Sequence, residues 1–175
     1  MPNYDFFSDE QLVKASRDGQ DAAWEALLRR HGQRLLAFFC RMNGGDLSVA
    51  KERWLSLWSD LARQRPSLAT GARFSTAAFG LALKLSQTTN PQRLRQPRTD
   101  DPSSFEARSA RFYTGLAELP ANERAALCLG YLDNLPWEEL GRVMGCRGEE
   151  ARDLCAAAYA HLDANLGSDF LTAGL

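Results

Sequence analysis

Apolar residues recur at steps of three and four along most of the chain, and this spacing constrains the fold more than any other feature. Trp24, Leu27, Leu28, His31, Leu35, Phe38, Phe39 and Met42 line one face of a long helix. No stretch alternates Val, Ile or Thr with polar residues, so nothing reads as a strand. The pattern predicts an all-α protein. Ser8-Asp9-Glu10-Gln11 has the spacing of a capping box and opens a short helix that stops near Gly19. Asp21 is placed to cap the long helix, Gly32 is a weak point within it, and Asn43-Gly44-Gly45 ends it. Asp46 or Ser48 starts a third helix with the stripe Leu47, Ala50, Trp54, Leu57, Trp58 and Leu61, closing before Pro66. A fourth follows a break at Gly71, with Phe74, Ala77, Ala78, Leu81 and Leu85 on its buried side.

From Thr88 to Ser104 the composition changes. Pro91, Pro97 and Pro102 fall in a tract with almost no apolar residues, which reads as an extended tether. This predicts two small helical units, residues 1–87 and 105–175, joined by a linker at 88–104. Beyond it, Phe105 to Leu119 and Ala121 to Leu132 each carry a helical stripe and are separated by Pro120; Leu127, Cys128, Tyr131 and Leu132 form the second stripe. In Leu135-Pro136-Trp137-Glu138-Glu139-Leu140-Gly141-Arg142-Val143-Met144-Gly145-Cys146, Gly145 supplies a tight turn and Gly141 a close approach. Leu140, Val143 and Cys146 supply the contact between two crossing helices, the pattern of a helix-turn-helix.

Charge divides the chain as the proline tract does. Residues 1–98 carry a net charge of +6 and residues 99–175 one of −7, within an overall −1. Oppositely charged halves can attract each other across the tether into a closed form, or meet two different partners. No apolar run approaches the roughly 18 residues of a membrane span, and the charged first thirty residues leave no signal-peptide core, so the expected location is cytoplasmic. Cys40, Cys128, Cys146 and Cys155 lack disulfide or zinc spacing, and Cys146, Cys155 and His161 match no familiar ligand pattern. No metal and no cofactor is expected. Nor is an enzyme: no nucleophile-base spacing or phosphate-cradling glycine loop is present, His31 lies on a core stripe, and Glu138 and Glu139 read as the acidic start of a helix.

The stretches DEQLVKASRDGQDAAWEALLRRHGQRLLAFFCRM, WLSLWSDL and LAELPANERAALCLGYLDNLPWEELGRVMGC together resemble the extracytoplasmic-function class of bacterial sigma factors, over about Ser8 to Leu166. The second half carries the more specific match: a Leu-Pro helix start, an apolar helix, an acidic pair and a glycine turn. The resemblance implies a sigma domain 2-like four-helix unit and a sigma domain 4-like helix-turn-helix unit. It also implies that the chain binds core RNA polymerase and directs or modulates transcription initiation at promoter DNA, with an anti-sigma protein as a further partner.

The resemblance carries over to particular residues. Ser48 and Lys51 stand where the polymerase-docking helix usually has Asp and Gln, with Glu52 and Trp54 following; Trp54 and Trp58 read as core. In the DNA-melting stretch, Arg73, Phe79 and Lys84 are the contacts retained, and Ala77 replaces a usual Trp. Arg93, Arg95 and Arg98 make the tether basic. Along the recognition helix Arg147 and Arg152 remain as cations, while Leu154, Ala156, Ala157, Tyr159 and Ala160 occupy other contact positions. Residues 148–166 carry a net −3, a sign that repels duplex DNA. The alternative function is therefore a sigma-like protein that has lost promoter reading and acts through protein contacts, with Leu154 and Tyr159 on its partner surface.

Overall fold

The structure is a computed structural model that describes residues 3–68, 73–87 and 105–167. The described residues form eight α-helices and no strand. The Gly71 break, the proline tract with Arg93, Arg95 and Arg98, and the 88–104 linker boundaries lie outside them.

Local chemistry sets most of the helix ends. Helix α1 (Asp9–Arg17) begins at the expected capping box: Gln11 N–H donates to Ser8 Oγ at 3.2 Å, and Ser8 N–H donates to Gln11 Oε1 at 2.8 Å. Helix α2 (Asp21–Met42) starts one residue earlier than expected, with Gln20 at the cap position; Asp21 lies in the first turn and pairs with Arg65 at 2.8 Å. At the far end Gly44 and Gly45 take positive φ of 65° and 83°. A Cβ on Gly45 would lie 2.8 Å from the Tyr113 ring, so this turn packs directly on α5 (Phe105–Glu118). Asp46 caps α3 (Leu47–Gln64), accepting from the backbone N–H of Ser48 and Val49. Gly32 is a packing point within α2: its carbonyl accepts from Trp54 Nε1 at 2.7 Å, and the indole leaves little room for a side chain there.

Helix α4 (Phe74–Gln87) buries Phe74, Ala78, Phe79, Ala82, Leu83 and Ser86. Ala77, expected on the buried side, is exposed, and Leu81 and Leu85 are half-buried. Helix α6 (Ala121–Leu127) continues into a π-helical turn at Cys128–Leu132, then α7 (Trp137–Met144) and α8 (Gly148–Leu166) cross at the glycine turn.

The larger apolar core does not respect the boundary between the halves. Leu12, Leu27, Leu35, Phe38, Phe39, Leu57, Trp58 and Phe79 belong to the same buried cluster as Ala126, Cys128, Leu129, Leu135, Leu140 and Cys155. A smaller cluster of Phe112, Leu116, Leu119, Leu127, Ala158, Leu162 and Leu166 joins α5, α6 and α8. Within the first half, Trp24, Trp58, Phe74 and His31 form an aromatic group with ring centroids 5.2–6.2 Å apart. Trp58 is buried and Trp54 half-buried, in agreement with their reading as core.

Candidate nucleic-acid and protein interface

The helix-turn-helix rests on two glycines. Gly145 adopts a left-handed φ of 74° at the end of α7, and Cys146 N–H closes the turn on Gly141 O at 2.9 Å. A Cβ on Gly141 would stand 2.7 Å from Cys146 O and 2.8 Å from Gly148 N, so only glycine lets the chain pass at this distance. Leu140 and Ala151 are fully buried beneath the crossing.

The charge on α8 is largely turned on itself. Arg147 holds Glu150 at 2.7 and 2.9 Å, and Glu150 also accepts the Arg147 backbone N–H at 3.1 Å. That backbone bond, then the guanidinium bonds and charge, pull the Glu150 carboxyl below its ordinary value. Arg152 pairs with neighbouring Asp153 at 3.3 Å. Arg147, just before α8, and Arg152, within it, therefore both have acidic partners on α8, while Ala156, Ala157 and Ala160 are exposed. Leu154 is half-buried and Tyr159 exposed.

Tyr159 continues into a row of exposed aromatics, with Tyr131 at 5.8 Å and Trp137 beyond it at 6.2 Å from Tyr131. Sequence reasoning missed this row because Tyr131 falls on a helical apolar stripe; the π-helical turn rotates it outward. Cys128 and Cys155 nearby are buried. Burial pushes the Cys128 thiol up to about 12 and that of Cys155 to about 11, and Cys155 donates to Ala126 O. Among the described residues no cluster of His, Cys, Asp and Glu has the arrangement of a metal site.

The residues expected at DNA in the first half are not on one surface. Arg73 stands immediately before α4, Lys84 is exposed near its other end, and Phe79 is only 1 % exposed. Phe79 packs edge-on to Phe38 at 5.8 Å, with the Arg34 guanidinium 5.6 Å from its ring. A ring held there has no free face for a base. Ser48, Lys51 and Glu52 share one exposed face in the first turns of α3, the spacing of three and four placing them together.

Arg73 faces the second half. Its Nη1 lies 3.0 Å from Glu139 Oε2, and both Ser75 Oγ and Thr76 Oγ1 donate to Glu139 Oε1, the latter at 3.0 Å. Burial alone would raise the Glu139 carboxyl, but the bonds from Ser75, Thr76 and Arg73, with the charge of Arg73, outweigh it and hold the carboxyl below its ordinary value. A second polar seam joins the halves at Asp133: Arg34 donates to its carbonyl at 2.6 Å and Arg41 to Oδ1 at 3.3 Å. Here burial wins over Arg41 and Arg34, and the Asp133 carboxyl is raised. Arg124, also buried, binds the carbonyls of Met42, Ala117 and Leu119 at 2.9–3.1 Å. None of these partnerships is readable from spacing, since the partners across the halves stand 63 to 99 residues apart.

Two clefts flank the seam. A polar one of about 510 Å³ is lined by Asp9, His31, Arg34, Arg73, Asn134 and Glu139; an apolar one of about 600 Å³ lies between α2 and α5, against Leu36, Cys40, Leu47, Phe105, Phe112 and Tyr113. In the first, His31 Nε2 and Asp9 Oδ2 are 2.7 Å apart, and Arg30 holds the other carboxylate oxygen at 2.6 Å. His31 is thus a buried structural residue, as its place on the core stripe implied. His161 pairs with Glu123 at 2.7 Å on the surface.

No protein-family model matches the chain, and no curated protein matches it in sequence. Among solved structures it is similar to CnrH, an extracytoplasmic-function sigma factor seen in complex with the cytosolic domain of CnrY. The TM-score is 0.75 at 18 % sequence identity, over 92 % of this chain and 98 % of that one. At that identity the likeness is one of fold, and the chain shares the all-helical fold of that structure.

Proposed function

We propose that the chain is a sigma-factor-like regulator that binds core RNA polymerase and directs or modulates transcription initiation. The observation that carries this reading is the likeness to CnrH over nearly the whole of both chains; the sequence resemblance, strongest around the glycine-built helix-turn-helix, supports it. In this reading residues 1–87 and 105–175 are the two working units and 88–104 their tether. Ser48, Lys51 and Glu52, exposed together on α3, form the polymerase-docking face. A regulator that binds core RNA polymerase acts where the polymerase is, in the cytoplasm.

A second reading is favoured by one observation, the pairing of Arg147 and Arg152 with acids on α8. A net −3 helix with its cations engaged gains nothing from phosphate neutralisation. In this version the protein keeps the fold, has lost promoter reading, and acts by binding an anti-sigma protein, the polymerase or another regulator through Leu154, Tyr159 and the aromatic row.

The experiment is competition with the housekeeping sigma factor for core polymerase. Displacement at stoichiometric amounts is expected; no displacement overturns polymerase binding. Titration with duplex DNA at two salt concentrations separates the readings. A steep loss of affinity with salt marks several phosphate contacts and supports promoter binding, whereas no measurable binding supports the protein-contact reading.

A further inference from the structure

We propose that Glu139 is a built-in competitor for nucleic-acid phosphate: in the closed arrangement its carboxylate occupies the donor set of Arg73, Ser75 and Thr76 that a phosphodiester takes when α7 withdraws from α4. The inference rests on the reading of Arg73 as a nucleic-acid contact and is independent of polymerase binding.

The three donors already hold an anion. One guanidinium and two hydroxyls converge on one carboxylate, whose side chain is 6 % exposed while Arg73 remains 67 % exposed. Arginine offers paired N–H donors that fit phosphate as they fit carboxylate, and hydroxyls donate to either. The polar cleft beside this contact also presents Arg34, His31 and Asn134, but its wall includes the acids Asp9, Glu10 and Glu139. With α7 in place, the site presents a filled donor set and negative charge to an incoming strand. With α7 withdrawn, Glu139 leaves with it, and the donors remain on the unit of residues 1–87, whose net charge is +3. The acidic character of the second half thus has a local use in denying the first half its anion.

A ligand that needs the open form binds with an affinity reduced by the fraction open. Weakening the Glu139 contact raises that fraction, and it raises affinity only if Arg73 is among the groups uncovered. The test is fluorescence anisotropy of a labelled single-stranded oligodeoxynucleotide with the full chain and its Glu139→Gln variant, which keeps the shape and removes the charge. About a fivefold gain in affinity is expected, and the double variant Glu139→Gln, Arg73→Ala should show none. No gain in the single variant, or a gain that survives loss of Arg73, overturns the proposal. Should Glu139→Gln fail to fold by circular dichroism, Glu139→Asp withdraws the carboxylate by one methylene and should give a smaller gain; no gain there is equally decisive. Polymerase competition run in parallel separates the two ideas. Oligonucleotide gain without polymerase binding removes only the polymerase reading, and polymerase binding without the gain removes only this one.

Discussion

Glu139 sits in the first turn of α7, where helix-end electrostatics alone would account for an acid. Its partners are contributed by Arg73, Ser75 and Thr76 from more than sixty residues upstream, and they hold its carboxyl below the ordinary 4.5 against the opposing effect of burial. A carboxyl depressed in the folded state stabilises that state above its unfolded pKa, and the contribution disappears as pH falls through its folded value. Glu139→Gln should therefore cost about 1 kcal/mol at pH 7, the scale of a charge-assisted bond to a mostly exposed arginine. The difference should close as the solution is acidified below pH 4.5. Urea unfolding of both proteins at steps from pH 7 downward checks this; a difference that does not narrow below pH 4.5 excludes the charge as its source. Asp133 runs the other way, because burial raises its carboxyl, so only the comparison with the Gln variant isolates Glu139. An acid at the start of α7 was legible; its partners were not, because a hydrogen bond leaves no periodic trace in sequence.

At the scale of elements, turns and caps were the most legible features. Ser8 with Gln11, Asp46, the Gly44-Gly45 stop and the Gly145 turn all act within a few residues of themselves. Gly141 shows how strict such a position is. Gly141→Ala would drive a Cβ into the backbone of Cys146 and Gly148, and backbone cannot rotate away as a side chain can. About 3 kcal/mol of stability should be lost, with α7 and α8 separating. Thermal unfolding, with hydrogen exchange over residues 137–166, reads it; unchanged protection there would show that the crossing is looser than the geometry requires. Helix α4 was the least legible element. Ala77 was expected inside and Phe79 at DNA, yet Ala77 is exposed and Phe79 is core. The physical cause is that α4 is covered by α2 and α3 on one side and by α7 on another. A helix buried on two faces has a broad apolar stripe, and its direction cannot be read from its own residues.

For the whole molecule, the opposite charges of the halves raised the expectation of mutual attraction, and Arg34, Arg41 and Arg73 do meet Asp133 and Glu139. Magnitudes assign the larger share of closure to something else. The Arg73–Glu139 pair, whose arginine is mostly exposed, contributes about 0–1 kcal/mol, and the buried Arg41–Asp133 pair loses to desolvation much of what its attraction gains, whereas each fully buried Leu or Phe contributes roughly 1.5–3 kcal/mol. The cluster shared by the halves includes Phe38, Phe39 and Phe79 with Leu129 and Leu140. Raising salt from about 0.1 M to about 1 M shortens the screening length from about 10 Å to about 3 Å and leaves apolar burial intact. The radius of gyration from small-angle scattering should therefore hold steady across that range. Expansion at high salt would show that charge, and not apolar burial, closes the molecule.

Residue order was enough for the helical class, most of the helix ends, the helix-turn-helix and the opposed charge of the halves. Each of these follows from residues close together in the chain or from simple addition of charge. It took the packed molecule to show that the core crosses between the halves, that Phe79 is sealed within it, that Tyr131 in the π-helical turn is exposed, and that Glu139 holds Arg73. These depend on which helix covers which, and that is settled by the packing of faces brought together from distant parts of the chain, where sequence spacing carries no information about distance.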